Sequence, residues 1–233
     1  MAIRASTLVE QMKQRRPRNK AGLAAVLALA VLAMAGCGAS QPADSAAVLI
    51  APPEYPPPPA AASEAIKGQL ELLHSPDALE RAEAVRMLGE LGGEASPAVG
   101  YLVVALADPH PQVRRNAAEA LGRIRDPQAV EPLVTVMEQS DEDWGVRARA
   151  AAALGELGDP RATEALAAAL ADMVSHVRLP AAVALGQIGD PAAAEPLDSA
   201  ARLDPDLGVR QAAREALQKL PPADRGHPAT YRE

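Results

Sequence analysis

Few side chains in this 233-residue chain could do chemistry, and their spacing decides which chemistry it would be. There is one cysteine, Cys37, so no internal disulfide can form and the fold must rest on packing. The histidines, His74, His110, His176 and His227, are scattered, and are followed by Ser75, Pro111, Val177 and Pro228. No glycine-rich phosphate loop, cysteine cluster or nucleophile elbow accompanies them, so no catalytic residue, metal site or cofactor is expected. A dispersed Ser/His/Asp arrangement stays open at this level. The regular pairing is one of opposite charges. Arg81, Arg114, Arg147, Arg178 and Arg210 recur at steps of 33, 33, 31 and 32 residues. Six residues before four of them stands an aspartate: Asp108, Asp141, Asp172 and Asp204, with Ser75 at the first position. A carboxylate in each turn and a guanidinium at the next helix start can form charge-assisted hydrogen bonds within a repeat and across to its neighbour. The expected role is structural, setting register rather than binding a ligand.

What positions these pairs is a repeated unit. Nearly the same phrase surrounds each arginine, as in VRRNAAEALGRIRDP from Val113 and VRARAAAALGELGDP from Val146. A period of that length marks stacked supersecondary units, which bury a continuous core only by piling up and so present a long surface rather than a cleft. Phe is absent and aromatics are 2% of the chain, so Ala, Leu and Val must build the core, which suits close-packed helices better than a sheet. Asp126-Pro127, Asp159-Pro160 and Asp190-Pro191 read as an N-cap followed by a proline at the first helical position. Gly158 and Gly189 suit the left-handed residue that ends a helix. Val113, Ala117, Ala120, Leu121 and Ile124 form one apolar stripe at helical spacing. Each unit is thus two antiparallel helices, and five units are expected: about 63–92, 95–125, 126–158, 159–189 and 190–221. Small pairs beside the stripe, Val85/Gly89, Ala118/Gly122, Ala151/Gly155 and Ala182/Gly186, would let the next helix come close. In the fifth unit the pair becomes Arg214/Gln218, the polar flank a terminal repeat needs. The stack is therefore expected to end there, with 222–233 a disordered tail.

The N-terminal region reads as an address. A basic stretch from Arg4 to Lys20 precedes the apolar run Ala21–Ala35, too short for a comfortable membrane span but right for the apolar region of a secretion signal. The basic stretch has a more usual length when counted from Met12, which makes Met12 a second candidate start beside Met1. Met34-Ala35-Gly36-Cys37 resembles the bacterial lipobox, which implies removal of residues 1–36 and lipidation of Cys37. Met34 departs from the Leu usual there, and a free cysteine ending an ordinary signal is the alternative. Gly38 is not the Asp that retains enterobacterial lipoproteins at the inner membrane, so the implied address is the outer membrane, facing the periplasm. Residues 1–36 hold six basic side chains and one acidic, leaving 17 basic and 29 acidic, a net charge of −12. So acidic a chain is a poor ligand for nucleic acid, whose phosphates would repel it. Residues 37–62, with seven prolines after Cys37, read as an extended linker, or as a ligand for a proline-recognition module.

The turn aspartate, the Val-Arg six residues on, the Ala-rich AAxALG and the Gly-Asp-Pro resemble HEAT repeats of the phycobilin-lyase-like class. The resemblance covers residues 63–221. It implies an all-α fold, an α-solenoid of about five HEAT-like helical-hairpin repeats wound as a right-handed superhelix, with the second helix of each pair on the concave side. On those helices the helical wheel points charge outward in repeats one, two and five. Ala148, Ala152, Leu179 and Val183 instead make an apolar strip across repeats three and four, a candidate partner-binding surface unless neighbouring helices cover it. Trp144 is read either as a staple against the first helical turn or as a partner contact. Pro180 is read as a first-turn proline. A relative of this class, deoxyhypusine hydroxylase, holds two irons through paired His-Glu dipeptides, and none of the four histidines here is followed by Glu. Two functions follow: a lipid-anchored, non-enzymatic scaffold of the bacterial envelope that binds another protein, or a bilin lyase-like or chaperone-like enzyme.

Overall fold

The helices begin and end where the turn residues dictate. Asp126, Asp159 and Asp190 each accept a hydrogen bond from the amide two residues on, and the following proline opens a three-residue 3-10 turn. Each of these turns runs straight into a helix. Gly158 and Gly189 close the preceding helices at φ 68° and 72°, a conformation glycine adopts without a Cβ clash. Arg125 holds the same position one repeat earlier at φ 60°, where an L side chain is disfavoured.

The structure, a computed structural model, describes residues 52–60, 62–139 and 143–221. Five helix pairs follow in order. They are α1 (Glu64–Leu72) with α2 (Ala78–Glu90), and α3 (Val99–Ala105), entered through a 3-10 helix Gly92–Ala98, with α4 (Pro111–Ile124). Then come α5 (Val130–Glu138) with α6 (Trp144–Leu157), α7 (Thr163–Ala169) with α8 (Ser175–Ile188), and α9 (Ala194–Leu203) with α10 (Leu207–Lys219). No strand occurs among the described residues. They lie in one compact unit, Leu49–Glu233. The architecture is the expected all-α solenoid. The signal region, Cys37, Asp141 and the tail 222–233 lie outside the described residues.

The closeness of the helix rows follows from residue size. The even-numbered helices stack one on the next and make the most extensive contacts in the molecule, whereas successive odd-numbered helices touch much less. A Cβ added to Gly89 would sit 2.9 Å from Ala120, one on Gly122 would sit 2.9 Å from Ala153, and one on Gly155 would sit 2.8 Å from Ala184. Gly186 meets Ala216 in the same way. Each glycine therefore seats the alanine two residues before the next repeat's glycine position, and the even-numbered helices pack closely in a row. On α10 the corresponding flank, Arg214 and Gln218, is exposed. Inside, the predicted stripe Val113, Ala117, Ala120, Leu121 and Ile124 is buried throughout, and Leu70, Leu88, Leu102, Leu121, Leu133, Leu154, Leu166, Leu185 and Leu197 are each fully buried. Full burial of one such side chain contributes about 1.5–3 kcal/mol.

Two expectations change. The end of the proline-rich segment is not a free spacer. Tyr55 is half-buried against the core, edge-on to His74 at 5.4 Å and parallel to Tyr101 at 6.4 Å. The Tyr101 hydroxyl donates to the Pro57 carbonyl. A ring is scarce in this chain and buries more apolar area than the prolines around it, so it pulls the segment onto the first two repeats. Pro180 is the sixth residue of α8, beyond the first turn. It withholds the amide that would have bonded the His176 carbonyl one turn back.

Candidate functional site

Burial and charge together fix the geometry of the Asp/Arg series. The Arg81 guanidinium donates to both carboxylate oxygens of Asp108, from Nε at 2.8 Å and Nη2 at 2.9 Å, while Nη1 donates to the carbonyls of Ser75 and Pro76 in its own turn. Arg178 repeats the arrangement with Asp204 at 2.7 and 2.9 Å and the carbonyls of Asp172 and Met173. Arg147 reaches Asp172 at 3.1 and 3.3 Å. Arg114 donates to the Asp108 carbonyl at 2.7 Å; Asp141, one repeat on, lies outside the described residues. Arg81 and Arg178 thus each tie their own turn to the next. Each carboxylate also accepts the amide two residues on, as in His110 to Asp108 and Asp206 to Asp204. The hydrogen bond from Arg178 holds the Asp204 carboxyl below its ordinary range, against the opposing effect of its burial. The ends of the series show its logic. Among the described residues Ser75 receives no arginine from an earlier repeat, and its hydroxyl accepts the amide of Asp77. Arg210 keeps its bonds to the Asp204 and Pro205 carbonyls.

Outward of this seam lies the candidate partner surface. Trp144 is 48% exposed, Leu179 41% and Val183 36%, while Ala148 and Ala152 are half-buried. The strip predicted from the helical wheel is therefore present on α6 and α8, and described neighbours only partly cover it. Trp144 is the first residue of α6, capped by Asp143, and its ring meets His176 of the next repeat at 5.2 Å. It bridges two repeats rather than stapling its own first turn. Leu207, 67% exposed, extends the apolar edge onto α10. Its register is that of Trp144, three residues before the repeat arginine, and that spacing is the signal by which it could be found. A Cβ on Gly208 would lie 3.3 Å from Leu179, so the missing side chain lets Leu179 lie over the start of α10.

The histidines are apart: His74 against Tyr55, His110 capping α4, and His176 beside Trp144. Among the described residues no group of three or more His, Cys, Asp or Glu could hold a metal ion, and no helix is long and apolar enough to cross a membrane.

Comparison with known proteins agrees with this geometry. The HEAT repeats family model matches residues 66–142 and 135–218. Over 79% of its length the chain is 27% identical to, and superposes with a TM-score of 0.59 on, 70% of a chain from the complex of CpcE and CpcF of phycocyanin lyase from Nostoc sp. PCC7120. An engineered protein matches 66% of this chain and 78% of its own at 25% identity and TM-score 0.52. A computationally designed armadillo repeat protein for modular peptide recognition shares the fold at 19% identity and TM-score 0.50, over 66% of this chain and 81% of its own. No curated protein matches the sequence. The two family matches together span most of the chain, and the protein belongs to the HEAT-repeat family. Its repeats are of the lyase-like class, and the stack is of the kind that serves as a protein-interaction scaffold.

Proposed function

We propose that this protein is a lipid-anchored, non-enzymatic scaffold of the bacterial envelope, tethered through Cys37 to the outer membrane and binding another protein along its concave face. The observation that supports it most is the exposed apolar edge Trp144, Leu179, Val183 and Leu207, on helices whose burial is otherwise complete on the core side. Exposed apolar patches framed by polar residues are a common mark of an interaction site. Crosslinking in intact cells, followed by mass spectrometry of the captured proteins, tests the reading. Leu179→Asp with Val183→Glu should abolish capture while leaving the helical circular dichroism unchanged. Capture at the wild-type level by the folded variant would defeat it.

A second reading has one observation in its favour, the likeness to a phycocyanin lyase chain. On that reading the solenoid holds a bilin or its acceptor as a lyase-like or chaperone-like enzyme. The two separate at Cys37, because phycobiliproteins mature in the cytoplasm. Labelled palmitate incorporated by the wild type and lost in Cys37→Ala supports the scaffold, whereas bilin transfer catalysed by the purified chain supports the lyase.

A further inference from the structure

The two ends of the stack are unlike. On α10 the flank that faces onward is polar, Arg214 and Gln218. On α2 the flank that faces backward is apolar, and register identifies it. Two positions on the later even-numbered helices touch the repeat before. One lies six residues after the repeat arginine: Ala120, Ala153, Ala184 and Ala216 are each buried against the glycine of the preceding helix. The other lies two residues before the arginine. On three of the four later helices it meets the preceding repeat, Gly145 under Arg115, His176 against Trp144 and Gly208 under Leu179. In the first repeat these two positions hold Met87 and Leu79, and among the described residues no repeat precedes them. Leu79 is 69% exposed and Met87 half-buried, and Leu72, across the turn at the end of α1, is 42% exposed. Glu83, between Leu79 and Met87 on the helix, is held by Arg86 at 2.6 Å. A terminal repeat with nothing stacked beyond it needs a polar outer face, which α10 has and α2 lacks.

We propose that the chain's own Val48-Leu49-Ile50 covers this face and closes the N-terminal end of the solenoid. Three observations name that occupant. The first is where the described chain begins. Its leading segment runs antiparallel to α1, from Tyr55 beside His74 at the end of that helix to Ser63, which caps its start. The residues before Tyr55 therefore arrive at the α1–α2 turn, which Leu72 and Leu79 flank. Ile50 lies five positions before Tyr55, a reach of at most about 18 Å. The second is composition. Between Cys37 and α1, Val48, Leu49 and Ile50 are the large apolar residues besides Tyr55; the rest is Ala, Pro, Gly and polar residues. The third is size. Inside the stack, alanine and glycine at these positions admit a neighbouring helix at close range. Met87 and Leu79 leave no room for a helix at that spacing, but they fill the gap to a thinner cover such as one extended stretch of chain. The cap stands independently of lipidation at Cys37 and of partner binding at the α6–α8 strip, and it shortens the free spacer to residues 38–47.

Disulfide trapping in the full chain tests this. With Cys37→Ala removing the native thiol, Leu49→Cys and Leu79→Cys should close an intramolecular disulfide under mild oxidation, read by non-reducing electrophoresis. Leu49→Cys with Glu80→Cys, one residue on and a third of a turn around α2, should close far more slowly. No disulfide, or equal rates at the two positions, would overturn the proposal. Disulfide-linked dimers would make the cover a second copy and would overturn it too. Hydrogen exchange supplies a measurement without engineered thiols. Val48→Ser with Leu49→Ser and Ile50→Ser should quicken exchange of the α2 amides by about tenfold or more and leave those of α10 unchanged. Leu79→Ser should have the same effect, and joining it to the triple change should add little, since both remove one contact. Wild-type exchange on α2 in the triple variant would overturn the proposal.

Discussion

At the scale of single residues, the buried guanidinium–carboxylate pairs decide register. Arg178 and Asp204 have side chains only 9% and 4% exposed. Arg178→Ala strands a carboxylate in the interior, and the expected loss is about 3–5 kcal/mol in urea unfolding. Arg210→Ala is the control. Among the described residues no carboxylate bonds the Arg210 guanidinium, so the substitution loses only hydrogen bonds to carbonyls and should cost about half as much or less. Equal losses would show that the carboxylate contributes nothing. Acid gives the same pair a second readout. Asp204 titrates below its ordinary 3.8 when folded, so its contribution is complete above that value and is lost as pH falls through the depressed one. Asp204→Asn should therefore flatten the fall of stability below about pH 4, which urea midpoints taken across that range would show. Arg125 supplies the opposite case. It occupies the left-handed position that glycine holds at Gly158 and Gly189, and Arg125→Gly should raise stability by about 0.5–1 kcal/mol. The pairs and the helix-ending glycines can be read from spacing because each recurs. Arg125 cannot, since nothing in its local phrase marks it except the absence of the glycine.

At the scale of the helix, what the sequence makes legible is what repeats. The Asp-Pro caps, the apolar stripe of α4 and the small flanks can all be placed from period and helical angle alone, and five pairs follow from them. What cannot be read depends on contacts between unlike parts. Tyr55 meets His74 and Tyr101 across 19 and 46 positions of sequence, and no periodicity relates a linker to a helix end. Pro180 lies deeper in its helix than its spacing implies, because a helix start is set by which residue accepts the first amides. Val174 makes no side-chain cap, yet α8 still begins at Ser175, one turn before the repeat arginine. On the candidate site the wheel predicts the strip on α6 and α8, but not its continuation to Leu207 or the inter-repeat contact of Trp144 with His176. The glycine seats give the sharpest element-scale test. A Cβ at Gly155 would meet the backbone of Ala184 at 2.8 Å, and that backbone cannot swing aside as a long side chain would. Gly155→Ala should cost about 1–3 kcal/mol by forcing α6 and α8 apart, even though alanine is the better helix former. A thermal shift upward would mean that propensity outweighs the seat.

At the scale of the molecule, the stack behaves as a one-dimensional array in which each repeat answers only to its neighbours. The third repeat, residues 126–158, begins and ends at the same register, so removing it joins Arg125 directly to Asp159 and keeps both the cap and the turn. Arg114 would then face Asp172, and Gly122 would seat Ala184 in place of Ala153. Apart from one repeat's worth of burial and the Trp144–His176 contact, for which Pro111 in the Trp144 register is no substitute, the inter-repeat contacts described above are re-formed with the next repeat. The shortened chain should fold, unfold in a single cooperative transition, and melt below the parent because one inter-repeat interface is gone. Its α8 strip would remain, and its Trp fluorescence would vanish with Trp144. Circular dichroism with a urea titration measures all but the last of these. An aggregated or molten product would mean that stability rests on something spanning more than adjacent repeats, such as the Tyr55 segment bracing one end. Tyr55→Ala in the intact chain separates those cases: in an array of nearest neighbours it should loosen α1 and α3 in hydrogen exchange and leave the protection of α8 and α10 unchanged.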